Sequence, residues 1–409
     1  MRDTASLPPS YDSGVPSEDF YRMTPLEIAG GWITGTDARR PPGEPGATEP
    51  GHPVAVLEEI MLPALAAPPC VVSFSGGRDS SALLAVASRL ARRKGLAAPI
   101  PFTKVYQGVP ETEEDEWQEM LIRHLELTDW ERLSIVDQVD LLGPLSRDSL
   151  ERHGLLWPAT AHTKSLSYEP ARGGTLITGE GGDEIFGPRR ITPMVALRAG
   201  RVRPRRAALR ESILELAPRP VRRPILERRV QDTRGWLRSM AQDRLSKAIA
   251  RDLLDEPLRW DRSILSVPRR RSWTIGEDTL SRLAREREVR LLNPLLDHRF
   301  ITSLAEWGGR LGAASRIAIM ESLFGDILPP RLVRRQTKAE FGGAVFGPNC
   351  RVFARSWKGD GVDTELVSPE QLRETWLQPR PHAGSLVLIQ DAWLKTGRPA
   401  IETRSIDWR

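Results

Sequence analysis

The stretch at residues 70–93 constrains the fold of this chain more than any other part of it. Residues 70–74 read CVVSF, the turn SGGRDS follows at residues 75–80, and residues 80–93 carry apolar side chains at helical spacing. Glycines allow backbone N–H groups to approach an anion, and a helix start presents unpaired N–H groups at the positive end of its dipole. The sequence therefore predicts a phosphate-binding loop between a buried strand and a helix.

Strand and helix patterns continue to alternate along the first half of the chain. Further strands are predicted at residues 102–106, 133–136 and 175–178, with helical segments between them. This alternation is typical of an α/β fold, in which a parallel sheet has helices on both faces and ligands bind beyond the carboxyl ends of the strands. From residue 191 onward the sequence predicts a mainly helical C-terminal part, so we expect one domain over residues 54–400.

The first 53 residues differ from the rest in composition, because proline, glycine, serine and aspartate dominate them. Neither the row LPPS at residues 7–10 nor the row RPPGEPG at residues 40–46 can hold a helix or a central strand. We interpret residues 1–53 as a tail or linker with one ordered patch at residues 28–36, where Trp32 and Ile33 can pack on the main body.

Composition excludes several classes of protein. No run approaches the roughly 18 apolar residues of a membrane span, and the N-terminus lacks a secretion signal, so we expect a cytoplasmic protein without a membrane partner. Only two cysteines occur, Cys70 and Cys350, which supports neither a disulfide framework nor a zinc site. The net charge of +5 is spread among 54 acidic residues, a pattern that does not favour a nucleic-acid partner.

A second glycine-rich loop follows the strand predicted at residues 175–178. Residues 175–187 read TLITGEGGDEIFG and set Glu180, Asp183 and Glu184 in one turn. Carboxylates at a strand end are costly to bury unless a cation meets them, and Mg²⁺ typically binds one or two carboxylates together with phosphate oxygens. The two loops are therefore predicted to converge on one metal ion.

A single lysine stands out in an arginine-rich chain. The chain has only seven lysines, and Lys338 lies in the row LPPRLVRRQTKAEF at residues 328–341. A compact ammonium can neutralise pyrophosphate and stabilise an oxyanion.

These three segments carry a resemblance to a known family. The first loop resembles the SGGxDS loop of the ATP pyrophosphatases, also called the PP-loop. The second resembles the GEGxDExFGG signature of class B asparagine synthetases and of their relatives, the beta-lactam, carbapenam and lasso-peptide macrolactam synthetases. The R-x-T-K form that ends at Lys338 looks most like the macrolactam synthetases.

The sequence also departs from the family pattern. Pro188 and Arg189 replace the usual Gly-Tyr, and Leu292 stands where the similar R-x-PFLD segment begins with Arg. In that segment Asp297 either caps the helix that follows or faces the substrate. Only about fifty residues precede the ligase-like region, so we expect no glutamine-hydrolysing domain.

The resemblance implies a PP-loop fold of the adenine nucleotide alpha hydrolase type, with ATP and Mg²⁺ as cofactors. It implies that Asp79 and Asp183 hold the magnesium ion, that Glu180 orients or deprotonates an amine, and that Lys338 contacts the phosphates and the acyl group. The residues that it assigns to the nucleotide are Ser73, Ser75, Gly76, Gly77, Asp79, Ser80 and Gly179.

The expected function is that of an ATP-dependent ligase, which adenylates a carboxylate and passes the acyl group to an amine. The substrates would be small molecules or peptides, with a precursor peptide or partner protein as a further possibility. Alternatives are an asparagine synthetase that uses free ammonia, a non-catalytic binding protein, and a PP-loop enzyme that modifies RNA through the arginine-rich residues 189–229.

Overall fold

A computed structural model describes residues 20–40, 51–200, 206–231 and 233–396 of the chain. Its centre is a sheet of five parallel strands in the order β3-β2-β1-β4-β5. The strands are β1 (Cys70–Ser73), β2 (Ile100–Tyr106), β3 (Glu131–Ile135), β4 (Thr175–Ile177) and β5 (Arg290–Leu292). In the register of the sheet Val71 lies opposite Ile100 on one side and Leu176 on the other. The predicted parallel sheet is confirmed.

Helices surround this sheet and form most of the chain after β4. Among the described residues, no helix has both the length and the apolar character that crossing a lipid bilayer requires. In chain order the helices are α1 (Pro25–Gly30), α2 (Pro53–Leu65), α3 (Arg78–Lys94), α4 (Asp115–His124), α5 (Pro144–His153), α6 (Ser165–Tyr168), α7 (Gly182–Phe186), α8 (Thr192–Arg198), α9 (Arg206–Leu216), α10 (Arg219–Gln231), α11 (Ser239–Asp255), α12 (Trp260–Ser266), α13 (Arg271–Arg285), α14 (His298–Gly308), α15 (Arg316–Phe324), α16 (Pro330–Arg334), α17 (Gly342–Val345), α18 (Pro348–Ser356), α19 (Pro369–Leu377) and α20 (Leu386–Thr396).

The two faces of the sheet bury separate apolar cores, because successive side chains of a strand point in opposite directions. Val72 of β1 and Ile177 of β4 belong to the largest core, which α2, α3 and α14 complete. Val71 and Leu176 belong to a second core, to which α13 contributes Leu283. Helices therefore cover both faces, as the sequence predicts.

The edge strand β5 is the one strand that the sequence analysis does not predict. It has only three residues, Arg290–Leu292, and its position depends on pairing with β4, where Leu291 lies opposite Leu176. A three-residue run has no readable periodicity, so nothing local distinguishes it from the helices on either side. Otherwise the region after residue 191 is mainly helical, as predicted.

The described part of the N-terminal segment, residues 20–40, packs on the body of the protein. Helix α1 lies within it and begins with a capping box, in which the Thr24 side chain and the Glu27 side chain each bond the other residue's backbone N–H. Ile33 is buried as predicted, whereas Trp32 is 41% exposed. The helix is absent from our prediction, and residues 1–19 and 41–50 of the predicted tail lie outside the described residues.

Candidate active site

Both glycine-rich loops lie at the carboxyl ends of adjacent central strands. The first follows β1 and the second follows β4, and these strands are hydrogen-bonded neighbours. A methyl group placed on Gly182 would lie 2.3 Å from the Asp79 carboxylate, and one placed on Gly179 would lie 3.2 Å from the Ser80 nitrogen. The two loops therefore pack directly against each other.

Internal hydrogen bonds fix the shape of the first loop. Gly76 has a φ of +84°, a conformation that side-chain-bearing residues rarely adopt. The Ser75 and Ser80 hydroxyl oxygens lie 3.2 Å apart, and the Gly77 N–H donates to the Ser75 hydroxyl at 3.3 Å. Helix α3 starts next, and no side chain caps its first N–H groups. That helix start is suited to binding phosphate.

A buried ion pair holds this loop from behind. Arg335 and Glu114 form two hydrogen bonds, and their side chains are only 2% and 4% exposed. The same guanidinium donates to the Gly76 carbonyl at 2.9 Å. Arg78 in turn donates to the Arg335 carbonyl at 2.8 Å. The segment around Arg335 is thereby fixed to the first glycine-rich loop. Lys338, three residues further along the chain, is therefore held beside that loop.

Two carboxylates, one from each loop, share a single guanidinium. Arg316 donates to Asp79 and, at 2.5 Å, to Asp183, while Lys338 donates to the other Asp183 oxygen at 2.5 Å. Burial raises the pKa of Asp79 in spite of Arg316. Burial also acts to raise the pKa of Asp183, but Lys338 and Arg316 outweigh it and lower that pKa.

The donor set around Asp79 suits a hard divalent cation. The Oδ1 atom of Asp79 is buried and has no hydrogen-bond partner within the described part of the chain. An ionised oxygen in that position is costly unless a cation reaches it. Asp79 and Asp183 supply the carboxylate oxygens that Mg²⁺ prefers, and phosphate oxygens and waters can complete its shell. These two residues thus fit the metal role that the family resemblance implies.

The second loop also presents a fixed carboxylate. Glu180 accepts a hydrogen bond from Lys164 at 2.9 Å, and the charge of Lys164 lowers the pKa of Glu180 although burial opposes this. The Glu180 N–H donates to the Thr178 hydroxyl, which donates to the Asn293 side chain at 2.6 Å. Asn293 follows β5, so the edge strand helps to position Glu180.

Residues of all these segments line one cavity of about 460 Å³. Among the residues that the resemblance assigns to nucleotide, metal or catalysis, those that line it are Ser73, Ser75, Gly77, Asp79, Ser80, Gly179, Glu180, Asp183 and Lys338. Gly76 is not part of the lining, and a methyl group placed on it would lie 2.9 Å from Gln118 of α4 and 3.2 Å from Glu114, which precedes α4. Its contribution is the sharp turn of the loop.

Other candidate residues lie outside the cavity. Asp297 accepts a hydrogen bond from the Arg299 N–H at 2.9 Å, so it caps α14 and is not among the residues that line the cavity. Of the two hypotheses for Asp297, the structure therefore supports helix capping and not a substrate-facing role. None of the described arginines between residues 189 and 231 lines the cavity either, and Arg190 and Arg222 both pair with Glu215.

Sequence reasoning missed several charged residues that line the cavity, among them Lys104, Lys164 and Arg316. The scarcity of lysine was the available signal for two of them, because three of the seven lysines of the chain line this one cavity. Arg316 carried no comparable signal, since arginine is abundant throughout the chain.

Comparison with known proteins agrees with this geometry. No protein with curated annotation matches the sequence. A family model described as asparagine synthase matches residues 63–395, which include both glycine-rich loops, β5 and Lys338. Members of this family are ATP-dependent ligases that form amide bonds. The match spans well over half of the chain, and the chain therefore belongs to the asparagine synthase family.

Proposed function

We propose that the protein adenylates a substrate carboxylate at the expense of ATP, releases pyrophosphate, and transfers the acyl group to an amine. The products of one cycle would be an amide, AMP and pyrophosphate. We place the reaction in natural-product or peptide biosynthesis, with ring closure to a macrolactam as the favoured outcome.

One observation carries this proposal. Asp79, Glu180, Asp183 and Lys338 come from three separate segments, yet all four line the same cavity. Asp79 and Asp183 fit a divalent cation. Lys338 is a cation near the first glycine-rich loop, and Glu180 is a carboxylate held in its ionised form. An acyl-adenylating ligase needs each of these groups.

In the first step an oxygen of the substrate carboxylate attacks the α-phosphate of ATP. The start of α3 offers N–H groups to the phosphates, and Lys338 and Arg316 supply positive charge beside them. Asp79 and Asp183 would hold Mg²⁺, which neutralises negative charge on the departing pyrophosphate. Arg316 bonds both carboxylates and therefore places its positive charge beside the same two groups.

In the second step the amine attacks the acyl carbon and AMP leaves. Glu180 is ionised and fixed by Lys164, so it can accept a hydrogen bond from the amine and orient it. The Lys338 side chain is mostly exposed and long. It can therefore contact the phosphates in the first step and the negatively charged acyl oxygen in the second.

The substrate class rests on the sequence around Lys338. Its R-x-T-K spacing, formed by Arg335, Gln336, Thr337 and Lys338, resembles the macrolactam synthetases. A peptide with a side-chain carboxylate and a free amine is therefore the proposed substrate. Aspartate with free ammonia is the competing pair, and it belongs in the same assay.

Hydroxylamine trapping tests the proposal. The protein is incubated with ATP, MgCl₂, hydroxylamine and a panel of amino acids, small carboxylic acids and acidic peptides. We expect one class of acid to give a hydroxamate together with equimolar AMP, and an Asp183→Asn variant of unchanged thermal stability to give none. Release of ADP instead of AMP, or the same yield from the variant, would overturn the proposed chemistry.

A further inference from the structure

Lys104 lines the cavity, and neither the family resemblance nor the proposed steps use it. We propose that Lys104 accepts the proton that the attacking amine loses as it bonds to the acyl carbon. This inference rests on the proposed ligase reaction and adds a residue to its second step.

The position of Lys104 is unusual for a lysine. It lies on β2, which pairs with β1 on one side and with β3 on the other. Its neighbours in the strand, Thr103 and Val105, are residue types that strands commonly contain. Its side chain lines the cavity together with Glu180, and its ammonium group lies 3.2 Å from the Ser167 hydroxyl. Lysine is rarely placed on an interior strand without a reason, because its charged form loses hydration there.

The charged groups around Lys104 do not compensate that loss. Glu180 is the one carboxylate that acts on it from the facing loop, and Glu180 is already hydrogen-bonded to Lys164. The Tyr168 hydroxyl donates to the Leu280 carbonyl and carries no charge, since burial raises the pKa of Tyr168. Burial, together with the charge of Lys164, lowers the pKa of Lys104 to about 7. A large fraction of Lys104 is therefore a neutral amine near neutral pH.

Glu180 is poorly suited to the same task. Lys164 lowers the pKa of Glu180, which makes its carboxylate a weaker base than an ordinary glutamate. A general base is most effective when its pKa lies near the working pH. The cavity thus contains one carboxylate that can orient an amine and one amine that can take its proton.

The proton balance of the step is complete. The amine nitrogen forms a bond to the acyl carbon, the bond from that carbon to the AMP oxygen breaks, and AMP leaves with the electron pair. The proton that the nitrogen loses moves to the neutral Nζ of Lys104, directly or through the Ser167 hydroxyl, and is later released to water.

The first test measures the titration of Lys104 without any substrate. Trace acetylation of the full-length protein with acetic anhydride between pH 6 and 10, followed by peptide mass spectrometry, reports each of the seven lysines separately. Lys247 is the control, because its hydrogen bond to Asp243 raises its pKa. We expect the labelling of Lys104, normalised to its fully neutral form, to reach half of its maximum near pH 7, whereas the labelling of Lys247 should still be rising at the upper end of the pH range. Titration of Lys104 together with Lys247 would overturn the inference.

The second test separates the two steps of the reaction. With the acid found by hydroxylamine trapping, a Lys104→Met variant should retain ATP-pyrophosphate exchange within about threefold, but lose amide formation with the natural amine by about 10²- to 10⁴-fold, the usual contribution of a general base. Unchanged amide formation, with the same dependence on pH as the wild-type enzyme, would overturn the role of Lys104. If no acid supports exchange in the wild-type protein, the proposed function itself fails, while the labelling result still reports on Lys104.

Discussion

Gly182 and Asp79 lie so close that a methyl group on Gly182 would be 2.3 Å from an oxygen of the Asp79 carboxylate. These residues belong to different loops, 103 positions apart in the numbering of the chain. The absence of a side chain at Gly182 therefore permits the two loops to meet. Their contact places Asp79 and Asp183 on the same guanidinium.

The contact predicts the effect of a single methyl group. A Gly182→Ala substitution should displace the Asp79 side chain and weaken binding of ATP and Mg²⁺ at least tenfold, which corresponds to about 1.4 kcal/mol. Isothermal titration calorimetry measures this. Gly235→Ala is the matched control, because its methyl group would meet no described atom within 4 Å, and it should bind like the wild-type protein.

The ion pair behind the first loop predicts a stability effect. Glu114→Gln leaves the buried guanidinium of Arg335 without its counter-charge, so we expect a loss of about 3–5 kcal/mol in the free energy of unfolding. Urea denaturation measures the change. The exposed pair of Arg331 and Glu116 offers the comparison, since Glu116→Gln should cost about 1 kcal/mol or less. Equal losses in the two variants would mean that Arg335 is hydrated in solution.

His162 predicts a dependence of stability on pH. Its Nδ1 lies 2.9 Å from the Ser149 hydroxyl, and burial, with a smaller effect of His153, lowers its pKa from 6.5 to about 3. Between these two pKa values the unfolded chain binds a proton that the folded protein does not. The contribution of neutral His162 to the free energy of unfolding is therefore fully present above pH 6.5 and is lost as the pH falls below that value. The expected loss from pH 7.5 to 5.5 is about 1.4 kcal/mol.

A His162→Gln variant isolates this effect, because glutamine does not titrate. Urea denaturation of both proteins at the two pH values should show that the wild-type protein loses about 1.4 kcal/mol more than the variant. Parallel losses in the two proteins would show that His162 is protonated inside the folded protein.

The loops could be predicted from sequence because each is a local pattern. A short apolar strand, a glycine turn and a polar helix start are adjacent in the chain, so residues 71–81 and 175–187 reveal both the strand and the loop that follows it. The parallel sheet follows from the alternation of such units.

The remainder of the site depends on contacts between distant segments. Arg316 is one arginine among many until the fold brings it between Asp79 and Asp183. The strand at Arg290–Leu292 forms only by pairing with β4. Lys104 lies in a predicted strand, but only the burial of β2 and the pairing of Lys164 with Glu180 make it distinctive.

Exchange of radiolabelled pyrophosphate into ATP tests the central claim most directly, because it requires reversible formation of an acyl-adenylate. We predict exchange that depends on both Mg²⁺ and one class of carboxylic acid, and that falls at least 100-fold in a Lys338→Ala variant whose thermal stability is unchanged. Exchange that needs no carboxylate, or that survives in the Lys338→Ala variant, would contradict the account.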